Sequence, residues 1–231
     1  MSRWGDFIVK KFKEGLTQEN INVINYSALF SIIAYIVSYL INIPVAFLVY
    51  DPKDVIIVLS GLILGVKPVI IITFATSSLE MLSSNGGSTL VGFVMNFFSS
   101  LAFCLPAIFI YNKFKIDNRI ELEDNVEDNV GEAIYKDRYK NKYNDKSESR
   151  DEPKKEKPER TEILLLGLIL SSITQVIVMI LFNLLITPKH MNVPVEYVKS
   201  MMFNLIIPFN LIKALVNSAI IFVLYKPAKN F

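Results

Sequence analysis

The first residue with chemistry in it is a lysine where lysine is costly. Lys213 lies in Phe203-Asn-Leu-Ile-Ile-Pro-Phe-Asn-Leu-Ile-Lys-Ala, midway through the last apolar stretch of a 231-residue chain. Burying an ionisable group in a bilayer core costs at least a few kcal/mol, so such a group faces a cavity or a partner rather than lipid. Snorkelling to an interface is difficult from that position. Pro208 removes a backbone hydrogen bond in the same stretch, and Asn210 and Asn217 add amides on nearby turns. Asn183 and Asn96 supply further amides in two other apolar runs. An amide both donates and accepts, and an ammonium donates only. The set can therefore hold a polar solute by hydrogen bonds without reacting with it. Each amide has an alternative role in tying helices together, and Lys213 has one in pairing with Glu80 or with backbone carbonyls.

Covalent chemistry has little to work with. His190 is the single histidine, and the apolar runs contain no HExxH, no His/Asp cluster and no serine with an evident base partner. The closest approach to a phosphate loop, Gly61-Leu-Ile-Leu-Gly65-Val-Lys67, has the wrong spacing and lacks the following Ser or Thr. Cys104, the single cysteine, excludes an intramolecular disulfide and reads as a small core residue. No catalytic residue, metal site or bound cofactor is expected. The net charge of +2, with acids and bases intermixed, argues against a nucleic-acid partner.

The elements that must position these groups are apolar runs, and the distribution of charge defines them. Of 22 acidic residues, 14 fall within residues 114–160, with 12 of the 24 basic ones. Outside that segment a window of about 19 residues finds six apolar runs, at 22–43, 53–66, 67–84, 89–112, 162–187 and 200–225. The second and third meet at Gly65-Val66-Lys67-Pro68 and read as two helices joined by a tight turn, with a re-entrant hairpin as the alternative. The fold expected is an all-α membrane protein, a compact bundle of six transmembrane helices with a long charged loop between the fourth and fifth.

Basic residues at the N-terminus, at Lys67, in the charged loop and at the C-terminus share one side of such a bundle, whereas Asp51-Pro52-Lys53-Asp54, the 83–89 loop and 188–200 carry few. Positive residues stay on the cytoplasmic side. Both termini and the 114–161 segment are expected there. Residues 1–21 have the apolar spacing of an interfacial helix, with Trp4, Phe7, Ile8, Phe12 and Leu16. Residues 22–113 form the first four helices, 114–161 a linker that is disordered or a loose charged helix, and 162–231 the last two helices and a short tail. Along the first run Ser27, Ser31, Ala34 and Ser38 make a smooth face, open to internal packing or to a partner subunit. Gly61 and Gly65 form a small-xxx-small pair that permits close helix approach.

Taken in order, several segments resemble a known family. Pro44-Val-Ala-Phe-Leu-Val-Tyr-Asp-Pro-Lys-Asp-Val55 and Gly61-Leu-Ile-Leu-Gly65 are similar to the helix 1–2 connection of the riboflavin-specific substrate-binding (S) components of energy-coupling-factor (ECF) vitamin transporters. Ser77-Ser-Leu-Glu-Met-Leu with Val91-Gly-Phe-Val-Met-Asn96 resembles their helix 3–4 region. Phe182-Asn183 through Pro188, and Ile207-Pro-Phe-Asn-Leu-Ile-Lys213-Ala, resemble helices 5 and 6. The resemblance implies six helices around a vitamin pocket near the extracellular side, built from helices 4 to 6 and the helix 1–2 loop. Asn183 and Lys213 then match positions that hydrogen-bond a flavin ring. Asn96, Asn210, Gly92, Phe47, Leu48, Tyr50, Asp51 and Glu80 complete the candidate ligand-binding set. Two positions depart from the pattern: Phe93 stands where the family carries an acid, and Ala214 where it carries glycine. The implied ligand is riboflavin or a related flavin, carried as substrate rather than as cofactor. The implied partners are membrane lipid, a shared transmembrane coupling subunit and two cytoplasmic ATPases. The face formed by Ser27, Ser31, Ala34 and Ser38 is the candidate surface for docking to that assembly.

Overall fold

The computed structural model describes residues 18–83, 90–139 and 160–228, with side chains over 20–83, 90–117 and 160–225. Most of the interfacial segment expected at 1–21, the 84–89 loop and residues 140–159 of the expected linker lie outside that set.

Helix α1, Gln18–Leu40, leads into a short antiparallel hairpin of β1, Ile43–Val45, and β2, Leu48–Tyr50. Ile43 pairs with Tyr50 and Val45 with Leu48. The tip turns on Ala46, held at a left-handed φ of 55°. Helix α2, Lys53–Leu64, follows, then α3, Val66–Ser83, and α4, Leu90–Tyr139. After the charged segment come α5, Arg160–Met191, and α6, Val195–Met201. A π-helical turn at Met202–Ile206 joins α6 to α7, Ile207–Ala228. That widened turn stands directly before Pro208, whose ring cannot fit a regular helical ladder.

Among the described residues five helical stretches are long and apolar enough to cross a membrane: Asn20–Leu40, Val66–Ser83, Leu90–Asp117, Arg160–Met191 and Val195–Tyr225. Helix α2 differs. Its 12 residues rise about 18 Å, short of a hydrocarbon core of about 30 Å. It is instead the central element, packed on α1, α3, α4 and α7 with most of its side chains buried. The turn between α2 and α3 falls at Gly65, whose φ of 92° suits glycine and whose N–H donates to the Gly61 carbonyl at 2.9 Å. Gly61 has the packing role: a Cβ there would collide with Ile108 of α4. Helix α4 does not stop where the charges begin, and its backbone stays helical to Tyr139.

The core gathers Val55, Ile57 and Val58 of α2, Ile72 of α3, Phe103, Cys104 and Ile108 of α4, Leu164 and Leu168 of α5 and Ile221 of α7. Gly167 lets α5 approach the backbone of Ala107, and Ser171 Oγ accepts the Ala107 N–H at 2.9 Å, one residue past Pro106. Large apolar side chains such as Ile24, Leu29, Ile32 and Ile36 of α1 point outward, as lipid solvation allows.

The smooth face of α1 is turned the other way. Ser27, Ser31, Ala34 and Ser38 are all buried. Thr76 Oγ1 of α3 donates to the Ser31 carbonyl at 3.4 Å, and Ser38 Oγ donates to Glu80 Oε1 at 2.5 Å. Small side chains brought α3 close and closed the face, so the expectation of partner docking there is corrected to internal packing.

Candidate ligand pocket

A cavity of about 300 Å³ opens at the hairpin end of the bundle. Helical periodicity explains its walls. On α4, Gly92, Met95, Asn96 and Ser99 recur at i, i+3, i+4 and i+7 and form one face. On α5, Met179, Thr187, His190 and Met191 line it near the helix's C-terminal end. The hairpin lays Phe47, Leu48 and Val49 across it, and α7 contributes Phe209, Asn210 and Lys213.

Of the candidate set, Lys213, Asn210, Asn96, Gly92, Phe47 and Leu48 line this cavity. Asn183 sits behind the wall, donating to the Met179 carbonyl at 2.8 Å and accepting from Thr187 Oγ1 at 3.0 Å. It braces a lining residue instead of lining the cavity. The Tyr50 hydroxyl donates to Asn217 Oδ1 at 3.2 Å. Asp51 and Glu80 line a separate recess between α1, the hairpin and α3, which meets the main cavity at Val49 and Asn96. Met95, Ser99, Met179, Thr187, His190 and Phe209 were not singled out in the sequence. The four-residue periodicity with Gly92 and Asn96 was the signal available for the first two.

The floor beside Lys213 is ionic. Its Nζ lies 3.5 Å from Asp51 Oδ2 and 3.9 Å from Asp54 Oδ2. Lys53 Nζ lies 3.4 Å from the same Asp51 oxygen and 2.6 Å from Glu80 Oε2. Ser100 Oγ donates to Asp54 Oδ1 at 2.5 Å, and Asn217 Nδ2 reaches Asp54 Oδ2 at 3.4 Å. Asn96 Nδ2 lies 3.5 Å from Glu80 Oε2. Asp51-Pro52-Lys53-Asp54, expected as a polar loop, is therefore buried, and Lys53 is only 1% exposed. Lys213 also pairs, with Asp51 and Asp54 instead of the Glu80 or backbone carbonyls of the alternative reading. Burial by itself would raise the Asp51 carboxyl, but Lys213 and then Lys53 outweigh it and hold the group below the usual carboxylate range.

The arrangement fixes the direction of the Lys213 side chain. An ammonium has three donors, and two carboxylates at these distances leave capacity for an acceptor inside the cavity. Phe47, Leu48, Met95, Met179 and Phe209 supply apolar walls. Among the described residues no group of three or more His, Cys, Asp or Glu could hold a metal ion. Phe93 points away from this chemistry, stacked on Phe97 at 6.0 Å between centroids and edge-on to Phe74 of α3 at 5.7 Å.

A family described as ECF transporter, substrate-specific component, matches residues 23–225. No protein of curated function matches the chain. A solved structure from work on the structure and mechanism of the S component of a bacterial ECF transporter superposes with a TM-score of 0.59 at 24% identity, covering 91% of this chain and 96% of that one. That likeness shows the fold.

Proposed function

Because the chain belongs to the substrate-specific components of ECF transporters, we propose that it captures riboflavin or a related flavin in the cavity between the hairpin, α4, α5 and α7. Components of this family are transporter subunits, not enzymes; they bind small-molecule substrates and work with the membrane and ATPase subunits of an ECF module. For this chain the proposed partners are a transmembrane coupling subunit and two cytoplasmic ATPases. The proposed orientation puts both termini in the cytoplasm and the cavity mouth outside.

The observation that carries the flavin reading is the convergence of Lys213, Asn210 and Asn96 on a cavity of about 300 Å³ that also holds Ser99, Thr187 and His190 and is otherwise walled by aromatic, methionine and aliphatic side chains. A flavin ring is flat and neutral and offers carbonyl and ring-nitrogen acceptors. Donors at one edge and apolar contact over both faces are what it needs to leave water. Absorption spectroscopy of the protein purified in detergent tests the reading, because retained flavin is yellow. A colourless protein that also fails to quench riboflavin fluorescence on titration overturns it.

A further inference from the structure

At the deep end of the cavity lies a polar pair that the binding set above does not use. Ser99 is the last residue of the α4 face that lines the cavity, roughly 10 Å along the axis from Gly92. Across from it Gln175 of α5 is fully buried, and its Nε2 donates to Ser99 Oγ at 3.1 Å. Gln175 Oε1 has no hydrogen-bond partner among the described residues.

Six helix hydroxyls in this bundle behave differently, whereas Ser77 and Ser171, like Ser99, make no bond to their own helix backbone among the described residues. Ser27, Ser31, Thr73, Ser78, Ser172 and Thr174 each donate to the carbonyl four residues back at 2.7–2.9 Å. Ser99 makes no such bond among the described residues. It accepts from Gln175, it lines the cavity, and its own proton has no acceptor among the described residues. A buried amide with an unpaired oxygen is a costly way to fill space that Leu or Met would fill without loss.

We propose that Ser99 is a further ligand-contacting residue, donating its hydroxyl to an acceptor at the inner edge of the bound ring. Gln175 is a positioning residue that acts through it, occupying a Ser99 lone pair so that the proton faces the ligand. The pair makes the cavity selective for rings that carry an acceptor at that edge, since a ring of equal shape without one buries an unsatisfied hydroxyl. The inference rests on the flavin reading, because riboflavin is the probe.

The test is a double-mutant cycle on the full chain in detergent. Riboflavin is titrated by fluorescence quenching against wild type, Ser99→Ala, Gln175→Met and the double variant, with melting temperature measured on each. Each single substitution is expected to weaken binding roughly three- to tenfold, as a neutral hydrogen bond would. The double variant should lose no more than the larger single loss. A merely structural Gln175 would lower melting temperature without that coupling in affinity. Unchanged affinity in Ser99→Ala overturns the ligand contact, and multiplying losses in the double variant overturn the positioning role. If Gln175→Met melts too low to titrate, Ser99→Ala, which loses one oxygen, decides. Wild type that fails to bind riboflavin sinks the flavin reading and this inference together. Wild type that binds beside an unaffected Ser99→Ala sinks the inference alone.

Discussion

Lys213 and Lys53 are both ammonium groups sealed inside an apolar bundle, at 5% and 1% exposure, and both touch Asp51 Oδ2. Their surroundings divide the molecule in two. Lys213 has carboxylates on one side and the cavity on the other, whereas Lys53 is held between Asp51 and Glu80 and lines neither the cavity nor the adjoining recess. Lys53 ties the start of α2 to α3, and through Ser38 on Glu80 the tie reaches α1. The hairpin-end cavity is therefore built beside a charged joint whose lysine does not line it. The same side-chain type at nearly the same depth faces the cavity in one place and joins helices in the other, and only the neighbours differ.

The largest expected effect tests the architectural half. Lys53→Met leaves Asp51 and Glu80 without their shared cation, and breaking a buried pair from one side costs about 3–5 kcal/mol. A large fall in melting temperature is expected, and a protein as stable as wild type would show that Lys53 is dispensable to the joint.

Lys213 should separate where Lys53 does not. Hydrogen bonds to a charged group are worth roughly 1.5–3 kcal/mol, so Lys213→Met should weaken riboflavin binding by about one to two orders of magnitude. It should also lower stability, less than Lys53→Met, because Lys53 remains beside Asp51. Lys213→Arg keeps the charge for Asp51 and Asp54, so it should retain most stability while still binding poorly, the planar fork being larger than a compact point donor. Riboflavin titration with melting temperature on the same samples reads both quantities. Arginine that binds as well as lysine would erase the distinction drawn here.

A smaller effect is expected on the inner face of α1. Ala34→Leu forces three carbons into a fully buried site and should cost about 1–3 kcal/mol of stability. The loss should appear in the melting temperature of the isolated protein, with no coupling subunit present. A variant that melts normally but fails to assemble with the ECF module would return this face to docking.

The smallest effect is assigned to Phe93, which packs on Phe97 and Phe74 outside the cavity. Phe93→Leu should lose at most about 1 kcal/mol of ring packing and leave riboflavin affinity unchanged. An affinity change would extend the binding region beyond the lining residues found.

The helices were legible in the sequence because lipid exposure imposes long apolar runs, and the α2–α3 turn because Gly65 needs its positive φ. Lys213, Asn210 and Asn96 stood out because a polar group within such a run has no solvent of its own. Lys53 and Asp54 did not, and Asp51 entered the candidate set only through the family resemblance, because charges at the end of a run look the same whether water or other side chains neutralise them. Hydropathy is local, whereas their neutralisation comes from Glu80, Ser100, Lys213 and Asn217 on three other helices. Ser99 and Gln175 were passed over for a related reason: a lone hydroxyl or amide in a helix has an inexpensive partner in its own backbone, and whether it takes that partner depends on what stands opposite. The sequence by itself determined the membrane class, the helices, their main turn and the charged residue that a ligand could use. The tertiary structure decided which way the smooth face of α1 points, which lysine faces the cavity and which polar groups are paired, because those outcomes depend on contacts between helices that no single run encodes.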